Sequence, residues 1–187
     1  MFDQNRFLPL NGGPSAYIKS VNIPIELYES MKGDYFIGYA DALIFGSGTS
    51  AWARLYNPRN SGVILHVNVW TVTDISTAPF RAQFWFNAHI SGEHSESDLV
   101  TCSNTAIRPV PIPRVKLQMA SSTTETPSDG VKAFVRRGEP LSTVVETENG
   151  KLIFPPGGSF LVYLSLLEGY DVPAEGRIAF GWWETRI

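Results

Sequence analysis

The sequence predicts an all-β fold, a two-sheet, jelly-roll-like β-sandwich of about ten short strands. Aromatic residues make up 12% of the 187 residues, and Val, Ile and Thr, which also favour strands, are common. Short apolar runs recur along the chain and are separated by Gly, Pro, Asn and Ser. No series of helical patterns alternates with these runs, so the parallel sheet of an α/β protein is not expected.

We expect a single β-sandwich domain at residues 16–187, preceded by an N-terminal arm at residues 1–15. A chain of 187 residues is long enough for one domain with a substantial core. Near its end the arm has the sequence Asn11-Gly12-Gly13-Pro14, which is typical of a flexible joint. Before this joint it carries the apolar residues Phe2, Phe7, Leu8 and Leu10. Two placements stay open for this arm. It docks on its own domain, or it serves as an oligomer arm that adds a strand to an open sheet edge of a neighbouring subunit.

The domain is predicted to begin with a strand at residues 16–23, followed by at most one short helix near residues 24–32. Pro24 favours the start of that helix and Gly33 favours its end. The other predicted strands lie within residues 62–91 and in nine further apolar runs. In chain order these runs are YFIGYA, ALIFG, SAWARLY, VKLQMA, VKAFVRR, STVVETE, KLIF, SFLVYLSLL and RIAFGWWETRI.

Three of these runs predict more than a strand. Asn149-Gly150 predicts a two-residue hairpin turn between STVVETE and KLIF, because both residues accept the positive φ that such a turn needs. SFLVYLSLL is apolar on both faces, which predicts a central strand that is covered on both sides. Trp182 and Trp183 are neighbours in the last strand, so they are expected to point to opposite faces.

Residues 62–91 contain two alternating runs around Pro79, which predicts an antiparallel hairpin. Val67 and Phe84 would then lie on its core face. The opposite face would carry a ladder of three cross-strand pairs, Trp70 with Trp85, Asn68 with Asn87, and His66 with His89. Three interpretations of this ladder stay open. It is covered by another part of the chain, it forms a subunit interface, or it binds a carbohydrate by stacking sugars on the tryptophans.

One loop gathers residue types that bind zinc or manganese: His89, Glu93, His94, Glu96 and Asp98. No histidine follows His94, so the second half of a cupin-like site would have no imidazole, and a solvated loop is the simpler interpretation. Cys102, the single cysteine, is expected to be a small buried residue, with an intermolecular bridge or a reactive thiol as the alternatives. The chain has no Gly-x-Ser-x-Gly motif. We therefore expect no catalytic residues, no metal and no cofactor.

The charge pattern limits the classes of partner. Charged residues make up 18% of the chain and the formal net charge is -3, whereas a typical domain is about 25% charged. There is no basic cluster that would follow a phosphate backbone, so no nucleic-acid partner is expected. There is also no apolar run long enough to span a membrane and no signal-peptide pattern. A thinly charged surface favours a homo-oligomer, and a glycan is the other partner considered.

Five blocks of the chain carry a family resemblance: AWARLYNPRNSGVILHVNVWTV, PFRAQFWFNAHISG, SNTAIRPVPIPRV, KLIFPPGGSF and IAFGWWE. Together they lie between residues 51 and 184. They resemble an uncharacterised family of bacterial proteins, a domain of unknown function associated with spore-forming Firmicutes. The resemblance implies a stand-alone β domain with no established activity, and it favours a role at the spore or cell surface.

These observations lead to a first hypothesis and two alternatives. The first is a non-enzymatic structural protein, a self-assembling β-sandwich subunit of a spore- or cell-surface layer or appendage. The second is a carbohydrate-binding module that uses Trp70 and Trp85 as exposed stacking platforms. The third is a metal-dependent, cupin-like enzyme. The cellular location and the symmetry of any oligomer stay open.

Overall fold

A computed structural model of the chain describes residues 22–187. These residues form a two-sheet, all-β sandwich with one short helix, which confirms the predicted fold class. The helix is α1 (Ile25–Lys32), and the strands in chain order are β1 (Tyr35–Gly46), β2 (Ser50–Tyr56), β3 (Val63–Asp74), β4 (Phe80–Phe86), β5 (Ser95–Glu96), β6 (Val100–Cys102), β7 (Lys116–Thr123), β8 (Val131–Gly138), β9 (Thr143–Phe154), β10 (Ser159–Leu166) and β11 (Pro173–Arg186).

Part of the sequence prediction falls on residues that the structure does not describe. The arm at residues 1–15, with its four apolar residues, lies outside the described residues, and so does most of the strand predicted at residues 16–23. Asn22 and Ile23, the two described residues of that predicted strand, are not in a strand.

The order of the strands is that of a jelly roll. The five-stranded sheet has the order β6-β1-β11-β3-β9, and the six-stranded sheet has the order β5-β7-β2-β10-β4-β8. When the two short strands and β7 are set aside, β1-β11-β3-β9 faces β2-β10-β4-β8, the double Greek-key arrangement of eight strands. The strand predicted to be central and covered on both sides is β10, which lies between β2 and β4 and is confirmed as such.

The predicted helix is confirmed with both of its signals. Pro24 precedes its first turn, and Gly33 follows it with a φ of 84°, a left-handed conformation that suits glycine. The helix buries the carboxylate of Glu29 and exposes apolar side chains, those of Ile25, Leu27, Tyr28 and Met31. Within residues 22–187, no helix has the length and apolar character that crossing a membrane would require.

Aromatic side chains fill much of the core between the two sheets. Trp70 is fully buried, and its ring centroid lies 4.3 Å from that of Phe84 on the opposite sheet. Trp182 is also buried in this core, whereas Trp183 lies on the outer face of the same strand, as predicted. Cys102 is buried in the core, which agrees with its predicted character.

The predicted hairpin at residues 62–91 is wrong. β3 belongs to the five-stranded sheet and β4 to the six-stranded sheet, so the link at residues 75–79 crosses the sandwich. Sheets pack about 10 Å apart, and a link of this length spans that distance easily. None of the three predicted cross-strand pairs forms. Trp70 is opposite Phe180 and Glu146, and Trp85 is opposite Leu161 and Lys132.

A bulge in β3 explains why the predicted core face and outer face of this strand are wrong beyond Val67. The pairing with β11 and β9 shifts at Asn68, which is the extra residue of β3 relative to β11. Before the bulge Val67 points into the core, and after it Trp70 does. An extra residue reverses the alternation of faces along a strand. Val69 and Thr71, which continue the predicted core face, are therefore on the outer face.

The predicted turn at Asn149-Gly150 is also wrong, although both residues have the expected positive φ, 50° and 71°. They lie inside the long strand β9, where residues 148–151 form a bulge opposite Asn68. The runs YFIGYA and ALIFG likewise form one strand, β1, with a bulge in which Ala42 has a positive φ. A local turn signal thus marks a bulge here, because the strand returns to the same neighbour after it.

Candidate functional site on the outer face of the five-stranded sheet

An open apolar groove lies on the outer face of the five-stranded sheet, away from the core. Its volume is about 510 Å³, within the range of about 300–1,000 Å³ that is typical of binding clefts. Residues of β1, β11 and β3 form its floor and flanks, and segment 98–101 forms a wall. Of the lining residues only Asp98 carries a charge. The groove is suited to burying an apolar group, and it is the candidate functional site.

Two cross-strand rows explain why the groove exists. In each row a small residue of β11 lies between larger residues of β1 and β3, as in Ile37–Gly181–Val69 and Tyr39–Ala179–Thr71. The side chains of one row stand next to one another on the same face of the sheet. Because the middle residues are glycine and alanine, the larger residues stand as two banks with a trough between them.

Gly181 is needed for a close approach at one end of this trough. A Cβ at Gly181 would lie 2.4 Å from the Tyr35 hydroxyl oxygen and 2.8 Å from a Val69 methyl carbon. Non-bonded heavy atoms prefer separations of about 3.5–4.0 Å. Only glycine therefore allows the Tyr35 hydroxyl to lie over β11 at this point.

The wall of the groove is held by hydrogen bonds to β1. The Tyr39 N–H donates to the Leu99 carbonyl at 3.1 Å, and the Ser97 hydroxyl donates to the Tyr39 carbonyl at 2.7 Å. The apolar side chains of the groove are nevertheless open to solvent. Ile37 is 46%, Tyr39 41% and Leu99 44% exposed.

A row of stacked rings, Tyr35–Trp183–His66, closes one end of the groove. The Trp183 and His66 rings are nearly parallel, with centroids 5.2 Å apart, and the Tyr35 centroid lies 6.5 Å from that of Trp183. The other end is bounded by an ion pair between Arg177 and Asp41. Trp183 and Arg177 are six positions apart on β11, so the two boundaries lie about 20 Å apart.

The polar side chain of Asn68 is buried beside this aromatic row. The Asn68 amide donates to the Tyr35 hydroxyl at 2.8 Å, and the other amide atom of Asn68 has no hydrogen-bond partner among residues 22–187. Burial raises the pKa of the Tyr35 phenol, an effect that the Asn68 hydrogen bond opposes and the Glu26 carboxylate reinforces. The phenol is therefore neutral at neutral pH and serves as a fixed hydrogen-bonding group.

His66 is the titratable group of the row. Burial lowers the pKa of its imidazole below the ordinary 6.5, while the Gly150 carbonyl and the Glu29 carboxylate act in the opposite direction. One ring nitrogen also hydrogen bonds to the Thr185 hydroxyl at 2.9 Å. The neutral imidazole is thus the form that the folded protein favours.

This shift predicts a pH dependence of stability. Because the pKa of His66 is lower in the folded state, the unfolded state binds the proton more readily, and stability falls as the pH drops below about 6.5. His66→Phe, which keeps a ring against Trp183, is expected to reduce that loss. Urea unfolding of both proteins between about pH 7.5 and pH 5 measures it. Equal losses in the two proteins would contradict the prediction, since the carboxylates contribute alike to both.

The other residues of the predicted ladder are dispersed. Trp70 lies in the core, where no ligand can reach its ring. Trp85 is half-buried on the outer face of the six-stranded sheet, with the Lys132 ammonium 5.0 Å from its ring. Asn87 is exposed, and its side-chain oxygen accepts the Ser159 N–H at 3.0 Å. His89 is exposed, and its main chain pairs with that of Ser128. Only His66 and Asn68 lie together.

The outer face of the six-stranded sheet is covered by the chain itself. Trp52, Leu161 and Tyr163 form a buried cluster there, and Ile90 joins it from the segment at residues 87–98. The Tyr163 hydroxyl donates to the carbonyl of Glu125, in the segment at residues 124–130. Segments of the chain itself, at residues 87–98 and 124–130, thus cover this face.

The metal-binding residue types of the loop at residues 89–98 do not gather. In the described part of the chain, no three His, Cys, Asp or Glu side chains lie where they could hold one metal ion. The His94 ring packs instead 5.9 Å from the ring of Trp52. His94 is thus part of the segment that covers the six-stranded sheet.

The residues that form the groove were not identified from the sequence. The sequence does hold one signal, because small and large residues alternate along AFGW at residues 179–182. Such a pattern indicates a strand with one face of small residues. It does not indicate which strands flank that face, and Ile37 and Val69 come from distant parts of the chain.

Comparison with known proteins identifies one family. A model described as a family of unknown function (DUF6143) matches residues 14–187. No curated protein and no solved structure matches the chain.

Proposed function

We propose that this chain, which belongs to the DUF6143 family of unknown function, is a structural subunit that assembles with copies of itself. Assembly uses the groove on the outer face of the five-stranded sheet, and the protein acts by contact rather than by catalysis. A layer or appendage at a spore or cell surface is the setting that we propose for such a subunit. The observation that carries the proposal is the open, nearly uncharged groove.

The contrast between the two outer faces supports this proposal. At the centre of the six-stranded sheet the outward-facing Leu161 is fully buried, because segments of the same chain cover it. On the five-stranded sheet the outward-facing Ile37 is 46% exposed. Contiguous exposed apolar surface commonly marks a place where another molecule binds. Among residues 22–187, one outer face of the sandwich is therefore covered by its own chain, and the other offers a contact surface.

The chemistry of the groove favours a protein partner. Interface cores are poor in charged residues and rich in aromatic residues, and the groove has Tyr39 on one bank and the Tyr35–Trp183–His66 row at its end. The tryptophans do not favour the carbohydrate alternative. Trp70 is in the core, and the half-buried Trp85 has the Lys132 ammonium 5.0 Å over its ring, so neither residue offers the open ring face that a stacking sugar needs.

Ile37→Glu is expected to weaken assembly. The new carboxylate would be buried in the contact and would stand near Asp98, which cannot neutralise it. We expect at least about a tenfold increase in the concentration needed for half-maximal assembly, which corresponds to about 1.4 kcal/mol. Size-exclusion chromatography with light scattering over a concentration series measures it, and negative-stain microscopy shows the form of the assemblies.

Val131→Glu is the matched control. Val131 is 64% exposed and lies on β8, at the edge of the other sheet. This variant introduces the same charge in a strand and is expected to assemble as the unmodified protein does. A concentration-independent monomer of the unmodified chain would refute the proposed function. Unchanged assembly of Ile37→Glu would refute the placement of the contact in the groove.

A further inference from the structure

We propose that the groove receives the N-terminal arm of a neighbouring copy, with Phe7, Leu8 and Leu10 as the side chains that enter it. This inference rests on the proposed function and names the partner segment. The arm would thus dock on the face of the five-stranded sheet of a neighbouring subunit. This differs from both placements considered from the sequence, docking on its own domain and adding a strand to an open sheet edge of a neighbour.

The described part of the chain begins close to the groove. Residues 1–21 precede Asn22, and α1 follows almost at once. The helix packs on β1 and β11, the strands that form one bank and the floor of the groove. Burial lowers the pKa of His66, a member of the aromatic row that closes the groove, and the carboxylate of the helix's buried Glu29 opposes that shift by raising the pKa. The arm is therefore attached beside the aromatic end of the groove.

The arm contains an apolar block that suits the apolar groove. The apolar residues of the arm include the short block Phe7-Leu8-Pro9-Leu10. Proline fixes its own φ and favours extended backbone for the residue before it, which lowers the entropy lost when such a block binds. Four extended residues span about 13 Å, less than the distance of about 20 Å between the two ends of the groove. Charge is absent from this block and nearly absent from the groove.

The groove alone offers a small contact area. Stable interfaces bury about 800 Å² on each partner, and a groove two cross-strand rows long supplies only part of that area. An arm that inserts into the groove adds its own surface to the contact. Leu10 lies twelve positions before Asn22, and twelve residues reach about 40 Å when extended, whereas a domain of this size has a radius of gyration of about 15 Å. The arm is thus long enough to reach a neighbouring subunit.

Complementation between two full-length variants tests the inference. Phe7→Ser/Leu8→Ser disables the arm and keeps the groove, and Ile37→Glu disables the groove and keeps the arm. We expect each variant alone to need at least about a tenfold higher concentration for assembly. An equimolar mixture is expected to form a complex of two chains, because one intact arm meets one intact groove. Light scattering gives the mass of this complex.

Controls separate the possible outcomes. Gln4→Ser/Asn5→Ser alters polar residues of the arm and is expected to assemble normally. Tyr39→Glu is a second groove variant, and circular dichroism checks that every variant keeps its β structure. If the arm variant assembles as the unmodified chain does, the inference fails and the proposed function stands. If both variants and their mixture stay monomeric, the arm does not dock on a neighbour. If the unmodified chain never assembles, both proposals fail.

Discussion

Replacement of Trp70 by alanine is expected to lower the free energy of unfolding by about 3–5 kcal/mol. The side chain is fully buried between the sheets, against Phe84 and Phe134. Its indole N–H also donates to the Glu148 carboxylate at 3.1 Å, and Glu148 is 7% exposed. The substitution therefore leaves both a cavity and a buried carboxylate that has lost a donor. Urea unfolding followed by circular dichroism measures the loss.

Trp85→Ala is the matched control for this prediction. It removes the same side chain from the unfolded state, but Trp85 is half-buried on an outer face. Its loss of stability is expected to be clearly smaller. All proteins are compared at one concentration, because assembly stabilises a folded subunit by mass action. A loss below about 1 kcal/mol for Trp70→Ala, or equal losses for the two variants, would contradict the core position of Trp70.

This residue illustrates which part of the fold could be predicted. The period of two along residues 63–74 correctly identifies a strand, but a pattern within one strand does not determine which strand lies next to it. The partners of β3 are β11 and β9, far away in the sequence, and the nearest strand, β4, is in the other sheet. Pairing between distant strands depends on the whole set of strands, so a hairpin could not be distinguished from a crossover.

Some predictions required no knowledge of distant partners, and these are confirmed. The helix boundaries follow from Pro24 and Gly33, whose preferences are local. The central place of β10 follows from its apolar residues on both faces. The opposite orientations of Trp182 and Trp183 follow from their being adjacent in a strand.

The candidate site could not be predicted for a related reason. Its floor needs Ala179 and Gly181 on one face, which the sequence suggests. Its banks need Ile37 and Val69 in register with Gly181, which depends on the bulge at Asn68. Without that bulge Val69 would point into the core. The groove depends on the register between β1, β11 and β3, so it can be recognised only when the pairing of all three strands is known.

The bulge in β9 leads to the second large effect, that of Gly150→Ala. Gly150 has a φ of 71°, and a Cβ there would lie 1.9 Å from the nearest atom of the Trp183 indole. Trp183 is 4% exposed and stacks on His66, so its rigid ring cannot move aside without losing that contact. Left-handed backbone costs a residue with a Cβ about 1–2 kcal/mol, and overpacking costs about 1–3 kcal/mol more. We expect Gly150→Ala to lower the free energy of unfolding by about 2–5 kcal/mol in total.

Gly48→Ala separates these two contributions. Gly48 has a similar φ of 79°, but no atom lies within 4 Å of the position that its Cβ would take. Its substitution is expected to cost only the backbone strain, about 1–2 kcal/mol. The difference between the two variants in urea unfolding therefore measures the fit of β9 against Trp183. Equal losses would contradict the prediction, because they would mean that the Trp183 indole moves aside for the new methyl group.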